Sequence, residues 1–60
     1  MIKIVRNDNF TDWVQLFAFG DFVEEYKNID KAIKTAKKLA QKNKTHFFVF
    51  MDQIVSVDSY

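Results

Sequence analysis

The stretch NIDKAIKTAKKLAQKNK, residues 28–44, decides the fold, because its apolar side chains recur with the period of an α-helix. The apolar face of this stretch consists of Ile29, Ala32, Ile33, Ala36, Leu39 and Ala40. Asn28 is a good N-cap, since its side-chain oxygen can accept a hydrogen bond from an unpaired amide of the first turn. Asp30 suits the positive end of the helix dipole. The pattern predicts an amphipathic helix over residues 29–43.

Three strands are predicted before this helix, where the apolar pattern changes to a period of two. They cover residues 1–6, 13–19 and 22–26. The only glycine of the chain, Gly20, lies between the second and the third strand. Glycine readily adopts the positive φ that a tight turn needs, so Gly20-Asp21 is the predicted hairpin tip.

Two further strands are predicted after the helix, at residues 46–51 and 54–57. Asp52-Gln53 separates them and has the length of a hairpin connection. Short connections favour antiparallel pairing, and a single helix covers only one face of a sheet. We expect one α+β domain over residues 1–60, in the order β-β-β-α-β-β, with two layers: the helix and an antiparallel sheet of four or five strands.

The length and composition bear on how such a domain is stabilised. A chain of 60 residues is near the lower limit for independent folding, and domains of this size often gain stability from disulfides, metals or self-association. The absence of cysteine excludes disulfides and thiolate metal sites, which leaves self-association open. No apolar run approaches the roughly 18 to 20 residues that span a bilayer, and the N-terminus lacks the order of a signal peptide. We therefore expect a cytoplasmic protein without a membrane partner.

Catalytic and metal sites find little support in the residue types. His46 is the only histidine, and a surface or capping role at the start of a strand is favoured over a pair with Asp52 or Asp58. One histidine and scattered carboxylates lack the spacing of a zinc or calcium site. One glycine is too few for a glycine-rich phosphate loop. We expect no enzyme activity, no cofactor and no metal.

The longest predicted strands are apolar on both faces, so the sheet face away from the helix is predicted to be an interaction surface. The candidate residues are Phe17, Phe19, Phe48 and Phe50. The alternation does not decide which set of side chains faces outward. Packing of two sheets in a homodimer is the favoured interpretation. Docking of another protein, base stacking by a single-stranded nucleic acid and a core closed by the first strand are the alternatives.

Charge is separated along the chain, although the net charge is only +1. Residues 27–44 hold seven lysines and one acid, a balance of +6, while two basic and seven acidic residues elsewhere give −5. Four lysines lie within about 40° of the direction opposite the apolar helix face. This lysine ridge consists of Lys31, Lys34, Lys38 and Lys42. It is a candidate site for nucleic acid or another polyanion, and the alternative is that it only solvates the helix.

Three segments of the chain follow the pattern of a small domain family. They are Trp13-Val14, the helix stretch at residues 28–40 with its Ala-Xaa-Xaa-Xaa-Ala rhythm, and the closing segment at residues 54–60. In these segments the chain resembles the bacterial family described as domain of unknown function 2188. It departs from the family at Asp52-Gln53, where Asp-Gly is common, and at Asn28, where the usual cap is Thr. The resemblance implies a compact α+β module and no particular activity.

These features together predict a small non-catalytic binding module, with self-association through the apolar sheet face as the expected mode. Nucleic-acid binding through the lysine ridge is the first alternative function. A protein inhibitor or adaptor, which would use the same apolar face against another protein, is the second.

Overall fold

The computed structural model describes residues 1–59 and contains five strands, one α-helix and one short 3₁₀-helix in that range. In chain order the elements are β1 (Ile2–Arg6), β2 (Val14–Ala18), β3 (Asp21–Tyr26), α1 (Ile29–Lys42), β4 (Phe47–Phe50), β5 (Gln53–Ser56) and the 3₁₀-helix Val57–Ser59. The predicted α+β class and the order β-β-β-α-β-β are confirmed. Tyr60, the last residue of the segment that resembles the bacterial family, lies outside the described residues.

The strands form a single mixed sheet in the order β3-β2-β1-β4-β5. Three neighbouring pairs are antiparallel, namely β1 with β2, β2 with β3, and β4 with β5. β1 and β4 run parallel, with Lys3 beside Val49 and Ile4 beside Phe50. The expected antiparallel pairing is thus found in three of the four pairs, and the central pair of β1 with β4 departs from it. The reason is that α1 returns the chain to the end of the sheet where β3 began, so that β4 runs in the same direction as β3 and β1.

Both hairpins turn one residue earlier than predicted. The first turn is Phe19-Gly20, with φ of 54° and 89°, and the second is Met51-Asp52, with φ of 49° and 70°. Positive φ at both central residues is the signature of a type I′ turn, whose twist matches that of the flanking strands. Gly20 thus occupies the second position of its turn, and β3 starts at Asp21.

α1 begins at a well-formed N-cap and ends at a capped C-terminus. The side-chain oxygen of Asn28 accepts hydrogen bonds from the backbone N–H groups of Asp30, at 2.8 Å, and Lys31, at 3.4 Å. At the other end the backbone N–H of Asn43 donates to the carbonyl of Leu39 at 3.1 Å. Asn43 is therefore the C-cap, and the helix ends at Lys42, one residue before its predicted end.

The core lies between α1 and one face of the sheet. The helix contributes three alanines, Ala32, Ala36 and Ala40, which are fully buried. Because alanine side chains are short, the helix axis can lie close to the strands. The sheet and the segment after it contribute Ile2, Ile4, Val14, Leu16, Phe48 and Val57.

Hydrogen bonds between side chains tie the edge strand β3 to α1. The hydroxyl of Tyr26 donates to Oγ1 of Thr35 at 3.0 Å. The Thr35 hydroxyl in turn donates to the carbonyl of Lys31 at 3.1 Å. Burial raises the pKa of Tyr26 above its ordinary value; the hydrogen bond with Thr35 opposes this rise, and Glu24 adds to it. The neutral phenol is thus the form that the fold favours.

Candidate interaction surface

The sheet face opposite α1, called the open face below, is covered by no element that residues 1–59 form. Side chains alternate between the two faces of a strand, so the strand registers assign each residue to one face. The apolar residues on the open face are Val5, Phe17, Phe22, Phe47, Val49 and Ile54. Phe22 is 56% exposed, Phe47 53% and Ile54 68%. The apolar surface extends from β3 at one edge of the sheet to β5 at the other.

Phe17 and Phe22 form a close aromatic pair on this face. They lie opposite each other on β2 and β3, next to a β-bulge in that pairing. Their ring centroids are 5.7 Å apart and their planes meet at 74°, which is the edge-to-face geometry that aromatic rings prefer. The pair is an aromatic contact between β2 and β3 on the open face.

The four aromatic residues predicted for this surface lie in different places in the structure. Phe17 lies on the open face, as described above. Phe48 is fully buried in the core and Phe50 is half-buried against it, so both belong to the helix side and including them in the exposed surface was wrong. The reason is the parity of β4, which places Phe47 and Val49 outward. Phe19 is exposed but sits in the β2–β3 turn, beside a separate apolar recess at the end of the sheet.

Polar residues that were not among the predicted surface residues also lie on the open face. Lys3 lies in the middle strand β1, opposite Phe17, and Gln15 lies on β2 between Val5 and Glu25. The signal for these residues is present in the sequence, because their neighbours along the strands on the core side, Ile2 and Ile4 in β1 and Val14 and Leu16 in β2, are all apolar. Lys3 and Gln15 could therefore have identified the outward parity of both strands.

The loop at residues 7–13 orders one end of the open face. Oδ1 of Asn7 accepts from the backbone N–H groups of Asn9, at 2.9 Å, and Phe10, at 3.2 Å. Nδ2 of the same side chain donates to Oε2 of Glu25 at 2.6 Å. Nη1 of Arg6 donates to the carbonyl of Thr11 at 2.6 Å. These bonds join the parts of the loop, and the contact with Asn7 ties the Glu25 carboxylate to it.

A shallow groove of about 1060 Å³ runs along the open face. Side chains of β1, β2 and β4 line it, and the charged residues Arg6, Asp8 and Asp52 lie along it as well. Small-molecule sites bury most of their ligand in a cleft, whereas this groove is partly open to solvent. Its shape suits the broad surface of a macromolecule.

The lysine ridge lies on the other side of the molecule. Lys31, Lys34, Lys38 and Lys42 are all exposed on α1, which packs on the opposite face of the sheet. The open face and the lysine ridge are therefore two separate surfaces, and occupation of one does not block the other.

The structure separates His46 from Asp52, whereas Asp58 follows Val57, whose backbone N–H donates to the carbonyl of His46 at 2.9 Å. His46 is exposed just before β4, whereas Asp52 lies in the turn at the far end of that strand. Over residues 1–59 there is no group of three or more histidine and acidic side chains placed to hold a metal ion. In the same range no helix has both the length and the apolar character that crossing a membrane requires.

Comparisons of the chain with protein-family models, curated proteins and solved structures give no match. The resemblance to the bacterial family remains a prediction.

Proposed function

We propose that this chain is a non-catalytic binding module that associates with a second copy of itself through the open face. The observation that carries the proposal is that all five strands contribute apolar side chains to the open face, on which Phe22, Phe47 and Ile54 are each more than half exposed. Burying a large apolar side chain contributes roughly 1.5 to 3 kcal/mol, so covering this surface is favourable. A small domain without disulfides gains most from such a contact.

The dimensions of the open face set the expected strength of the dimer. Five strands spaced about 4.8 Å apart, each about five residues long at about 3.3 Å per residue, give a face of roughly 24 by 16 Å. That is about 400 Å² in projection, about half of the ~800 Å² per partner that a standard interface buries. We therefore expect a reversible dimer with a dissociation constant in the micromolar range.

Sedimentation equilibrium across about 1 to 100 μM protein tests this proposal, since that range brackets the expected dissociation constant. We expect the average mass to rise from that of the 7.1 kDa chain towards twice that value. Ile54→Lys should keep the protein monomeric, because it places a charge on the open face. Phe10→Lys is the matched control: Phe10 is 66% exposed, like Ile54 at 68%, but lies in the loop at residues 7–13. A monomer at all concentrations, or equal effects of both variants, would contradict the proposal.

If the protein is monomeric, another partner would have to bind the open face. An inhibitor or adaptor would bind a different protein there, and Ile54→Lys would then abolish that contact. A single-stranded nucleic acid would stack its bases on Phe17 and Phe22, and its binding would be lost in Phe22→Ala.

Polyanion binding by the lysine ridge is the second candidate function. It is favoured by the exposure of all four lysines along one side of α1, with only Asp30 to offset the seven lysines of residues 27–44. Binding of a mixed-sequence oligonucleotide at about 50 mM salt should weaken steeply as salt rises, because each phosphate contact releases counterions. Lys34→Glu with Lys38→Glu should abolish binding, whereas Lys3→Glu, on the opposite face, should not. Absence of binding at low salt would exclude this function.

A further inference from the structure

The open face carries a positive charge near its centre. Lys3 lies in β1, the middle strand, between Phe17 on β2 and Val49 on β4. Among residues 1–59 its ammonium group has no ion-pair partner. A second copy that covered the open face would remove water from this charge, and an unpaired ammonium in such a place is costly. A stable dimer therefore needs an acidic group over each Lys3.

The same face offers such an acid on its other side. Glu25 lies on β3 opposite Gln15, and Gln15 lies opposite Val5 of β1, so all three share the face of Lys3. Nδ2 of Asn7 holds one oxygen of the Glu25 carboxylate at 2.6 Å. This contact fixes the position of the carboxylate and is compatible with a second contact from outside the chain.

Lys3 and Glu25 form no ion pair with each other among residues 1–59, where the Glu25 carboxylate is held by Asn7 instead. They are two strands apart, about 9.6 Å, and two residues apart along the strands, about 6.6 Å, which gives a separation of about 12 Å in the plane of the sheet. The two charges on the open face are thus complementary but separated.

We propose, resting on the self-association argued above, that two copies pack open face to open face with Lys3 of each copy paired with Glu25 of the partner subunit. A two-fold axis makes every contact between different residues occur twice. An axis in the plane between the sheets, passing over β2 between Gln15 and Phe17, places each Lys3 over the partner's Glu25. Packed sheets lie about 10 Å apart, a gap that a lysine and a glutamate side chain together can span.

This axis also sets the relative orientation of the two sheets. The line from Lys3 to Glu25 makes an angle of about 35° with the direction across the strands, from the spacings used above. The two-fold axis is perpendicular to this line, so it makes an angle of about 35° with the strands. Rotation about it makes the strands of the two copies cross at twice that angle, roughly 70°, which is nearer to the orthogonal class of sheet packing than to the aligned class. Phe17 then lies beside the partner's Phe17 at the centre of the interface.

Charge reversal tests this arrangement. K3E and E25K each place like charges together at both symmetric contacts, so each should raise the dimer dissociation constant by about tenfold or more. The double variant K3E/E25K exchanges the charges and should dimerise within about threefold of the original protein. Glu25→Gln keeps an acceptor for Asn7 but removes the charge, so it should weaken the dimer less than E25K.

The decisive measurement is a mixture of the two single variants. K3E has acidic residues at both positions and E25K has basic residues at both, so one copy of each forms two opposite-charge pairs. We expect sedimentation equilibrium to show monomers for each variant alone and a heterodimer for the equimolar mixture. D8K is the matched control, since Asp8 lies along the same groove but lacks the position of Glu25. D8K keeps Lys3 and Glu25, so in a mixture with K3E it should dimerise with itself and leave K3E monomeric. Circular dichroism should show that each variant is folded.

The outcomes separate this inference from the proposed function. A monomeric original protein would overturn both. A dimeric original protein whose K3E and E25K variants remain dimers would overturn only the pairing of Lys3 with Glu25. Failure of the K3E and E25K mixture to dimerise, or equal rescue of K3E by D8K, would also overturn that pairing.

Discussion

Phe47 and Phe48 are adjacent in β4 and have opposite surroundings, which makes them a test of the fold. Phe48 is fully buried and Phe47 is 53% exposed. We predict that Phe48→Ala lowers the free energy of unfolding by about 3 to 5 kcal/mol, the usual loss for a buried phenylalanine. Phe47→Ala should cost about 1 kcal/mol, because about half of its transfer free energy is at stake.

The size of this loss is large for so small a domain. Sixty residues at about 0.05 to 0.15 kcal/mol each give a total stability of about 3 to 9 kcal/mol. Phe48→Ala should therefore leave a large unfolded fraction without denaturant, whereas Phe47→Ala should remain folded. Phe48→Leu, which keeps most of the apolar volume, provides a variant whose unfolding can be measured.

Urea unfolding followed by the fluorescence of Trp13, the only tryptophan, measures the three variants under one set of conditions. Protein concentrations below the dimer range keep self-association out of the comparison. Equal losses for Phe47→Ala and Phe48→Ala, or a larger loss for Phe47→Ala, would refute the assignment of the two sheet faces. The open face and the pairing proposed on it would then fall as well.

Three further predictions concern single side chains. The raised pKa of Tyr26 favours the neutral phenol in the folded state, so its contribution to stability is present below about pH 10 and lost as pH rises through the folded pKa. Above about pH 10 the urea midpoint of Tyr26→Phe should therefore fall less than that of the original protein. Gly20→Ala should cost about 1 to 2 kcal/mol through backbone strain alone, because φ is +89° and an added Cβ meets no atom within 4 Å; Gly20→Asn should cost less in the same urea assay. Asn28→Ala should lower the unfolding free energy by about 1 kcal/mol by removing the cap of α1, and Asn28→Ser should retain most of it.

The helix was predictable because its evidence is local. The apolar period, Asn28 and the first-turn Asp30 all lie within the stretch that forms α1. The hairpin turns were harder to predict from the sequence. Gly20 pointed to the correct turn, yet only the pairing of the strands shows that glycine takes the second position. Nothing in the residue type of Met51 indicates a positive φ, which the β4–β5 pairing imposes on it.

The faces of β4 depend on contacts between distant parts of the chain. Phe47, Phe48, Val49 and Phe50 are all apolar, so alternation alone cannot decide which pair α1 covers. The parallel pairing of β4 with β1 decides it, and this pairing joins segments more than forty residues apart. β1 carries the missing information in Lys3, the polar residue between buried Ile2 and Ile4, whose neighbours across the sheet share its face.

The central place of β1 in the sheet has a consequence for synthesis on the ribosome. β1 is made before the other strands, and its β2 side is paired once β2 has emerged. Its other side stays unpaired until β4, at Phe47–Phe50, leaves the ribosome, which happens only after α1 is complete. During this interval the nascent chain exposes a bare strand edge and an apolar helix face, the features that attract chaperones or other nascent chains. Rapid emergence of the β4–β5 hairpin ends that exposure.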